Sequence, residues 1–523
     1  MRLLTLAKYW PALLSSGLAL GALALLWRVR DMPLALGAFA RFDALSAFFL
    51  FVLFGGSALV LAARPKTFSP QGLRPAAAVG ALALAFSTTS TLVIACAYLA
   101  LALLTLDWQA LALPAEDRQP TPANSVRRAL RRAVPVAPNL LAAACLLLGC
   151  GALALRGAAR YDDRTAGAAL DSFAFWFMLL AALIPLIPLS RAEDQAPSST
   201  NQVAIQPLWF SALSTRFLHF AWLYPLTRLY SLGPWNSGWS FATLLLGGAL
   251  ALWCASSALT RLDVVAGNTK IQSMYLALAL AGLGLSNSAG LVAACFGILT
   301  YLVLCVGHGD WELARDEAPS QSPVPELLPW LLSSALPLTA PFVAVWMLIG
   351  ASVAGGVSLL AGVAWLVALL HGLTMALWNG AAPVPARRPL LVAGVVSVVL
   401  GVGAPPIARL LILPVVAQLQ GGLTPFGDLN IWPWVGVATS DSNHTQVTTL
   451  PSIAITLLML VLAALVYVVR RLRELRRAEQ PAEQPAVAVS ASTLLGDLRD
   501  EVPWLGGLLG ANSRSQRHPG DGE

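Results

Sequence analysis

The stretch RFDALSAFFLFVLFGGSALVLAA, residues 41–63, decides the fold class. Arg41 and Asp43 stand at its start, and about twenty uncharged residues follow, which is the length that an α-helix needs to cross a bilayer. Similar apolar runs recur along all 523 residues, of which 57% are hydrophobic and 11% charged, and the mean hydropathy is +0.71. The sequence therefore predicts an all-α polytopic membrane protein and excludes a soluble one.

About fourteen transmembrane helices are predicted, together forming a membrane bundle over residues 1–470. Their approximate bounds are 9–27, 44–63, 72–88, 89–106, 136–155, 170–190, 207–229, 240–260, 270–286, 288–306, 328–350, 353–377, 389–410 and 452–470. Two junctions, at 87–91 and 286–288, are ambiguous. Each is either a tight turn between two helices or the middle of one long tilted helix.

Basic residues predict the orientation of the chain. With the N-terminus inside, the inner segments and the tail hold about twenty-four Lys and Arg residues and the outer segments about seven. This predicts that both termini are cytoplasmic. The expected location is a bacterial inner membrane. The net charge of +7 is then a property of the inner face and its anionic lipids, so it implies no nucleic-acid partner.

Two loops have patterns of their own. Residues 107–135 form a cytoplasmic loop in which the arginines of 126–134 would lie along one side of an amphipathic surface helix. Residues 411–451 contain no Lys or Arg but carry Trp432 and Trp434. This pattern predicts an outer, interfacial cap with aromatic anchors.

The basic cytoplasmic tail, residues 471–523, begins with a flexible linker at 478–488. Leucines, Val502 and Trp504 in 494–509 then form roughly one apolar face of a short helix, which Pro503 interrupts. Such a helix would lie on the bilayer or on a partner.

No cofactor, metal or enzyme active site is predicted. The six cysteines all fall inside apolar spans and form no CxxC or Cys/His pattern, so they are expected to be free thiols. The chain has no P-loop, dinucleotide fingerprint or catalytic triad. The many Gly and Ala residues, such as Gly247 and Gly248, favour close helix packing.

Several segments resemble one family when they are taken in order. RFDALS at 41–46 resembles its (R/F)-D-G/A-L-S element, and ALPL at 335–338 with FVAVW at 342–346 is similar to its G-L-P-P…F-x-x-K-W element. The family comprises the antiporter-like, proton-conducting membrane subunits of respiratory complex I, membrane hydrogenases and multisubunit cation antiporters. The resemblance covers about residues 40–410 and implies an antiporter-like inverted-repeat bundle with broken helices.

Two further segments resemble one branch of that superfamily, the B subunit of DAB-type inorganic-carbon transporters. DR at 117–118 with SVRRAL at 125–130 is similar to D-R-P…A-R-K-K-F, and NTKIQSM at 268–274 is similar to S-T-x-x-Q-M-G. The resemblance implies a carbonic-anhydrase-like zinc subunit as partner. Zinc and CO₂ chemistry would belong to that partner, because this sequence offers no ligand set for zinc.

The chain departs from the family at its charged positions. A family Glu is replaced in the region of residues 97–99, and a family Lys by LIPLIP at 183–188. Phe220 stands near a further family lysine, the family segment N-H-x-x-x-K becomes Thr300, Tyr301 and Cys305, and the lysine of F-x-x-K-W becomes Val345. Asp and Glu are absent from 44–106, 195–262, 264–309 and 327–427. Because a buried ion path needs titratable or polar steps, little or no ion conduction is expected.

The polar residues that remain allow two interpretations. Arg216 and His219 share a helix face and could form a residual proton or anion site, or could hydrogen-bond to backbone or a neighbouring subunit. His371 could mark a helix break at mid-membrane or be a structural histidine. Pro185 and Pro188 could preserve a broken helix or only kink it.

Charged residues at span ends are expected to be structural. Arg228 and Lys270 are expected to snorkel to the membrane surface, and Asp43 is expected to reach water or cap a helix.

Three functions remain open: a scaffold or anchor subunit of an inorganic-carbon complex, an active proton or cation transporter with a rearranged polar path, and an accessory subunit of a complex I-like or hydrogenase complex. Membrane subunits and lipid are the expected partners.

Overall fold

The computed structural model describes residues 2–30, 32–36, 40–63, 73–105, 137–161, 172–187, 217–260, 264–308, 335, 338–378, 387–419, 423, 429–432, 436–439 and 461. The loop predicted at 107–135 and the tail from residue 471 lie outside these residues. Of the last predicted span, 452–470, residue 461 alone is described.

Apolar α-helices make up most of the described chain, because Leu- and Ala-rich runs favour helix and a lipid environment requires every backbone group to be bonded internally. The helices are α1 Arg2–Arg28, α2 Ala44–Ala63, α3 Leu73–Phe86, α4 Thr91–Leu104, α5 Ala137–Leu155, α6 Ser172–Leu183, α7 Leu223–Arg228, α8 Ser237–Leu259, α9 Val264–Gly284, α10 Ser288–His308, α11 Ala340–Ala354, α12 Ser358–Trp378, α13 Arg387–Val402, α14 Ala404–Ile407 and α15 Leu413–Leu419.

Two antiparallel hairpins, which the sequence did not predict, accompany the helices. Strand β1, Leu34–Leu36, pairs with β2, Ala40–Phe42, and strand β3, Leu429–Trp432, pairs with β4, Gly436–Thr439. The first hairpin directly precedes α2. Its Arg41 N–H donates to Ser87 O at 3.0 Å, so β2 is fixed against the junction between α3 and α4.

Within the described ranges, six helices are long and apolar enough to cross a membrane, and one bent helix pair would add a seventh crossing. Four more apolar helices are shorter, at 10–17 residues. The predicted class of a polytopic helical membrane protein is confirmed. Both ambiguous junctions separate two helices: α3 ends at Phe86 before α4, and α9 ends at Gly284 before α10.

Helix α9 packs against α8 and also against α10, and α10 is buried along its described length. The backbones of α8 and α9 approach closely at Gly247, where a Cβ atom would lie 2.5 Å from Ala281 N. Small residues permit this approach, as in other membrane helix pairs. Helices α8 and α9 are therefore tightly packed against each other.

The segment after residue 402 differs from the prediction. Helix α13 ends at Val402, and the chain then bends by 80° into a second helix that runs over Ala404–Leu419. The bend contains Pro405 and Pro406, and the π-helical segment Ala408–Ile412 follows. The assignment of residues 411–419 to an outer cap is wrong, because Ile412, Val415 and neighbouring apolar residues are buried in the core.

Candidate functional site

An ion pair joins the start of α2 to the end of α7. The Arg228 guanidinium donates from Nη1 and Nη2 to the two carboxylate oxygens of Asp43, with Nη2 3.0 Å from Oδ1. Nη2 also donates to the Ser46 hydroxyl at 2.7 Å, and Nε donates to the Tyr224 hydroxyl at 2.9 Å. The Arg228 side chain is 2% exposed and that of Asp43 17%. Such bidentate, charge-assisted pairs are strong and directional.

Several polar groups form hydrogen bonds at the N-terminus of α2. Asp43 precedes Ala44, and its Oδ1 accepts from Ser46 N at 2.8 Å, which confirms the predicted helix cap. Gln418 of α15 also caps the N-terminus of α2, because its Oε1 accepts a hydrogen bond from Ala44 N at 2.6 Å. Gln418 Nε2 also donates to Val29 O, just after α1, at 2.8 Å. Four elements from distant parts of the chain therefore meet at one point.

Asp43 lies just before the apolar span Ala44–Ala62. Burial raises the pKa of its carboxyl, but the charge and hydrogen bonds of Arg228 and the hydrogen bonds of Ser46 more than offset this. The pKa is therefore below its ordinary value of 3.8. The carboxylate is ionised at neutral pH, so the pair as a whole is neutral and can be held in a buried position.

Two predictions of snorkelling are wrong. Arg228 does not reach the surface, because Asp43 provides a buried counter-charge. Lys270 is 1% exposed, and its Nζ lies 4.7 Å from the centroid of the Trp253 ring. The aromatic face stabilises the ammonium group through a cation–π interaction.

Three of the described positions that the resemblance aligns with charged family residues are apolar and buried in this chain. Phe220 is fully buried, with its ring 6.1 Å from that of Phe49 and 5.9 Å from that of Phe217. Ala97 and Val345 are buried as well. These positions can stabilise packing but cannot carry a proton.

The structure places the two predicted histidines on different elements. His219 is half-buried in the 3-10 segment Leu218–Trp222, and this segment is held by the Tyr98 hydroxyl, which donates to Ala221 O. His371 is buried in α12, with Nδ1 3.0 Å from the Tyr275 hydroxyl of α9. The segment of His219 is thus bonded to α4 and His371 to α9. Arg216, the third member of the predicted site, lies outside the described residues.

Pro185 lies at a helix break. Helix α6 ends at Leu183 and continues as the 3-10 turn Ile184–Leu186, in which Pro185 is buried. Proline has no N–H to donate and its ring clashes with the preceding turn, so the α-helix cannot continue regularly. Pro188 falls outside the residues that the structure describes.

The sequence pattern did not connect Asp43 with Arg228, which are 185 residues apart. The sequence did contain a signal for this pair, since each residue is a lone charge at the end of an apolar span and a buried charge requires an opposite partner.

No group of three or more His, Cys, Asp or Glu residues in the described ranges is placed to hold a metal ion.

Comparisons with known proteins support the fold. No family model and no curated protein sequence matches the chain. Among solved structures, a chain of the Mrp complex from Dietzia sp. DQ12-45-1b is similar with a TM-score of 0.58 and 17% identity, over 80% of this chain and 92% of that one.

Two more similar structures belong to respiratory complexes. A chain of the membrane-bound sulfane sulfur reductase, an archaeal respiratory membrane complex, gives a TM-score of 0.55 at 14% identity over 98% of this chain and 96% of its own. A chain of respiratory complex I from Thermus thermophilus gives a TM-score of 0.51 at 16% identity, over 80% of this chain and 99% of that one. The chain therefore shares the helical fold of these three chains.

Proposed function

We propose that the chain is a non-catalytic, antiporter-like integral subunit of a larger bacterial membrane complex. It would act as a scaffold or anchor in the inner membrane and conduct little or no ion current by itself. Similarity in fold to chains of three membrane complexes supports the role as a subunit. The single observation that carries the scaffold role is the buried packing of Phe220 against Phe49 and Phe217.

Physical chemistry explains why this packing opposes conduction. An ion or proton that crosses a low-dielectric bundle needs titratable or hydrated groups along its path. Phe220 lies near the position of a family lysine, and the Phe49 ring that stacks on it also contacts Phe86 and Tyr224, with ring centroids 5.3 and 5.0 Å away. The Phe49 and Phe217 rings present apolar surface to Phe220, so a charge at this position would not be paired by them.

The preferred complex is an inorganic-carbon accumulation system that concentrates CO₂ or bicarbonate. This preference rests on the resemblance of residues 125–130 and 268–274 to the B subunit of DAB-type transporters. The partner would then be a large carbonic-anhydrase-like zinc subunit. All zinc chemistry would take place in that partner, and this chain would anchor it to the membrane.

Affinity purification from native membranes tests the proposal. Tagged chain should carry with it a large zinc-containing protein, identified by mass spectrometry and by metal analysis. A variant that lacks residues 480–523 and has Ala at Arg127, Arg128, Arg131 and Arg132 should still insert but lose that partner, because these are the largest cytoplasmic features predicted. Recovery of a quinone or hydrogenase module would instead support an accessory respiratory subunit.

A second candidate, an active proton or cation transporter, is favoured by the hydrogen bond between buried His371 and Tyr275. Polar pairs inside membrane helices often mark a transport path. This candidate predicts that the chain purifies without partners and moves protons in liposomes. His371→Ala would then abolish the flux while the protein stays folded.

A further inference from the structure

The contact between α9 and α10 is built from small residues near the turn that joins the two helices. A Cβ atom at Gly282 would lie 2.8 Å from Gly290 O, and one at Gly297 would lie 3.2 Å from Tyr275 O. The two backbones therefore touch along this half.

The other half of the same contact is polar. Asn268, Gln272 and Tyr275 follow at spacings of four and three residues, so they share one face of α9. Gln272 Nε2 donates to Leu304 O of α10 at 3.4 Å, which shows that this face meets α10. Thr300 lies one turn before Leu304 on the facing side of α10. Two amides and a hydroxyl thus lie along this helix contact, and the Tyr275 phenol reaches from α9 to His371 of α12.

Two of these side chains lack hydrogen-bond partners. Asn268 is 3% exposed, and neither its Oδ1 nor its Nδ2 has a partner in the protein. Thr300 is fully buried, and its Oγ1 likewise has none. Buried polar groups in proteins are nearly always bonded to protein or to ordered water.

Other threonines show that the free hydroxyl of Thr300 is unusual. Thr227, Thr243 and Thr374 each donate to the carbonyl oxygen four residues earlier, at 2.8, 2.9 and 2.7 Å. Thr300 is also in a helix and has the same carbonyl four residues earlier. Its hydroxyl is not bonded in this way, which is the arrangement expected where the hydroxyl serves another group.

We propose that Asn268, Gln272 and Thr300 line a buried hydrated site that extends to the Tyr275–His371 pair, with ordered water as its ligand. Amides and hydroxyls both donate and accept, which suits a neutral ligand such as water. Residues 264–309 and 327–427 contain no Asp or Glu, so a carboxylate site for a metal cation is not available from these segments. The site is compatible with an anchor as well as with a transporter.

Matched threonines test the proposal. In a full-length variant whose six cysteines are replaced by Ser or Ala, Thr300→Cys should react with a small neutral methanethiosulfonate several-fold faster than Thr243→Cys, measured in membranes. Thr243 is equally buried but its hydroxyl is bonded within α8. Equal rates for the two variants would overturn the hydrated site.

A measurement on the unmodified chain covers the case in which the cysteine-free variant does not fold. In radiolytic hydroxyl-radical footprinting, Tyr275 should be oxidised several-fold faster than Tyr98, although both are fully buried, because bound water generates the radical beside it. Equal oxidation of the two tyrosines would contradict the proposal. So would a higher thermal midpoint for Thr300→Val, since removal of a dry, unbonded hydroxyl stabilises a core.

Discussion

Arg228 at the end of α7 and Asp43 at the start of α2 form one buried, bidentate ion pair, although 185 residues separate them. Asp43 also caps α2, so the pair ties a short, irregular helix to a long, regular one. Gln418 attaches the bent helix of the C-terminal part to the same point. Two interrupted helices are thereby fixed to a single helix N-terminus.

Arg228→Gln should destabilise the protein by about 3–5 kcal/mol, because it leaves Asp43 as an uncompensated buried charge. The difference in unfolding free energy between the wild type and Arg228→Gln is measured by denaturant or thermal unfolding in detergent. Arg409, an exposed arginine, is the matched control, and Arg409→Gln should change stability by less than about 0.5 kcal/mol. Asp43→Asn combined with Arg228→Gln should cost less than the sum of the two single changes; additive losses would show that the ion pair is not the cause.

The stability supplied by Asp43 should depend on pH in the acid range. Its pKa in the folded protein lies below the ordinary value of 3.8, so its contribution is fully present above that value and is lost as the pH falls through the lower, folded pKa. The difference in midpoint between the wild type and Asp43→Asn should be constant from pH 5 to 8 and shrink below about pH 4. A difference that stays unchanged at low pH would contradict the assignment.

The sequence predicted the long central runs as helices because lipid leaves a chain few alternatives, whereas the count of fourteen spans is not established. Continuous apolar runs such as 44–63 and 288–306 can only be helices in a membrane, and both are. The 80° bend after Val402 was not predicted, since Pro405 and Pro406 fall inside an apolar run that hydropathy alone extends to residue 410. Irregular backbone there depends on tertiary contacts, and hydropathy does not report them.

The candidate site was harder to predict because its residues meet only in three dimensions. Arg228 and Lys270 were expected to snorkel because each is near a span end, yet Asp43 and the Trp253 ring provide buried partners. Phe220 and Val345 are visibly apolar in the sequence, and the resemblance suggests that family lysines stand near or at these positions. Their close packing could not be predicted, because neighbours across the bundle are distant in sequence.

Adjacent glycines in α8 should respond differently to the same change. Gly247→Ala should strongly destabilise the protein, because its Cβ would meet Ala281 N at 2.5 Å and Ala277 O at 2.9 Å, both of them backbone atoms. Gly248→Ala should be neutral or stabilising, since its Cβ would lie 3.5 Å from Leu360 Cδ1 and alanine favours the helix. Thermal midpoints of the two variants give the comparison. Equal midpoints would mean that α8 and α9 are not in this close contact.

The distribution of arginines predicts that both termini are cytoplasmic and that residues 420–451 are outside. In a variant without native cysteines, Ser440→Cys should react with an impermeant maleimide added to intact cells. Ser513→Cys should react only after permeabilisation. The reverse pattern would invert the topology and move the basic segments to the outer side.

The isolated chain should not conduct ions. The resemblance would place family lysines near Phe220 and at Val345, and both side chains are buried among apolar residues, where an unpaired charge is costly. Purified alone in liposomes, the protein should dissipate neither a pH gradient nor a sodium gradient, whereas an added ionophore should collapse both. His219→Ala should alter stability or assembly before it alters flux. A robust flux that His219→Ala abolishes in a folded protein would instead establish an active transporter with a rearranged polar path.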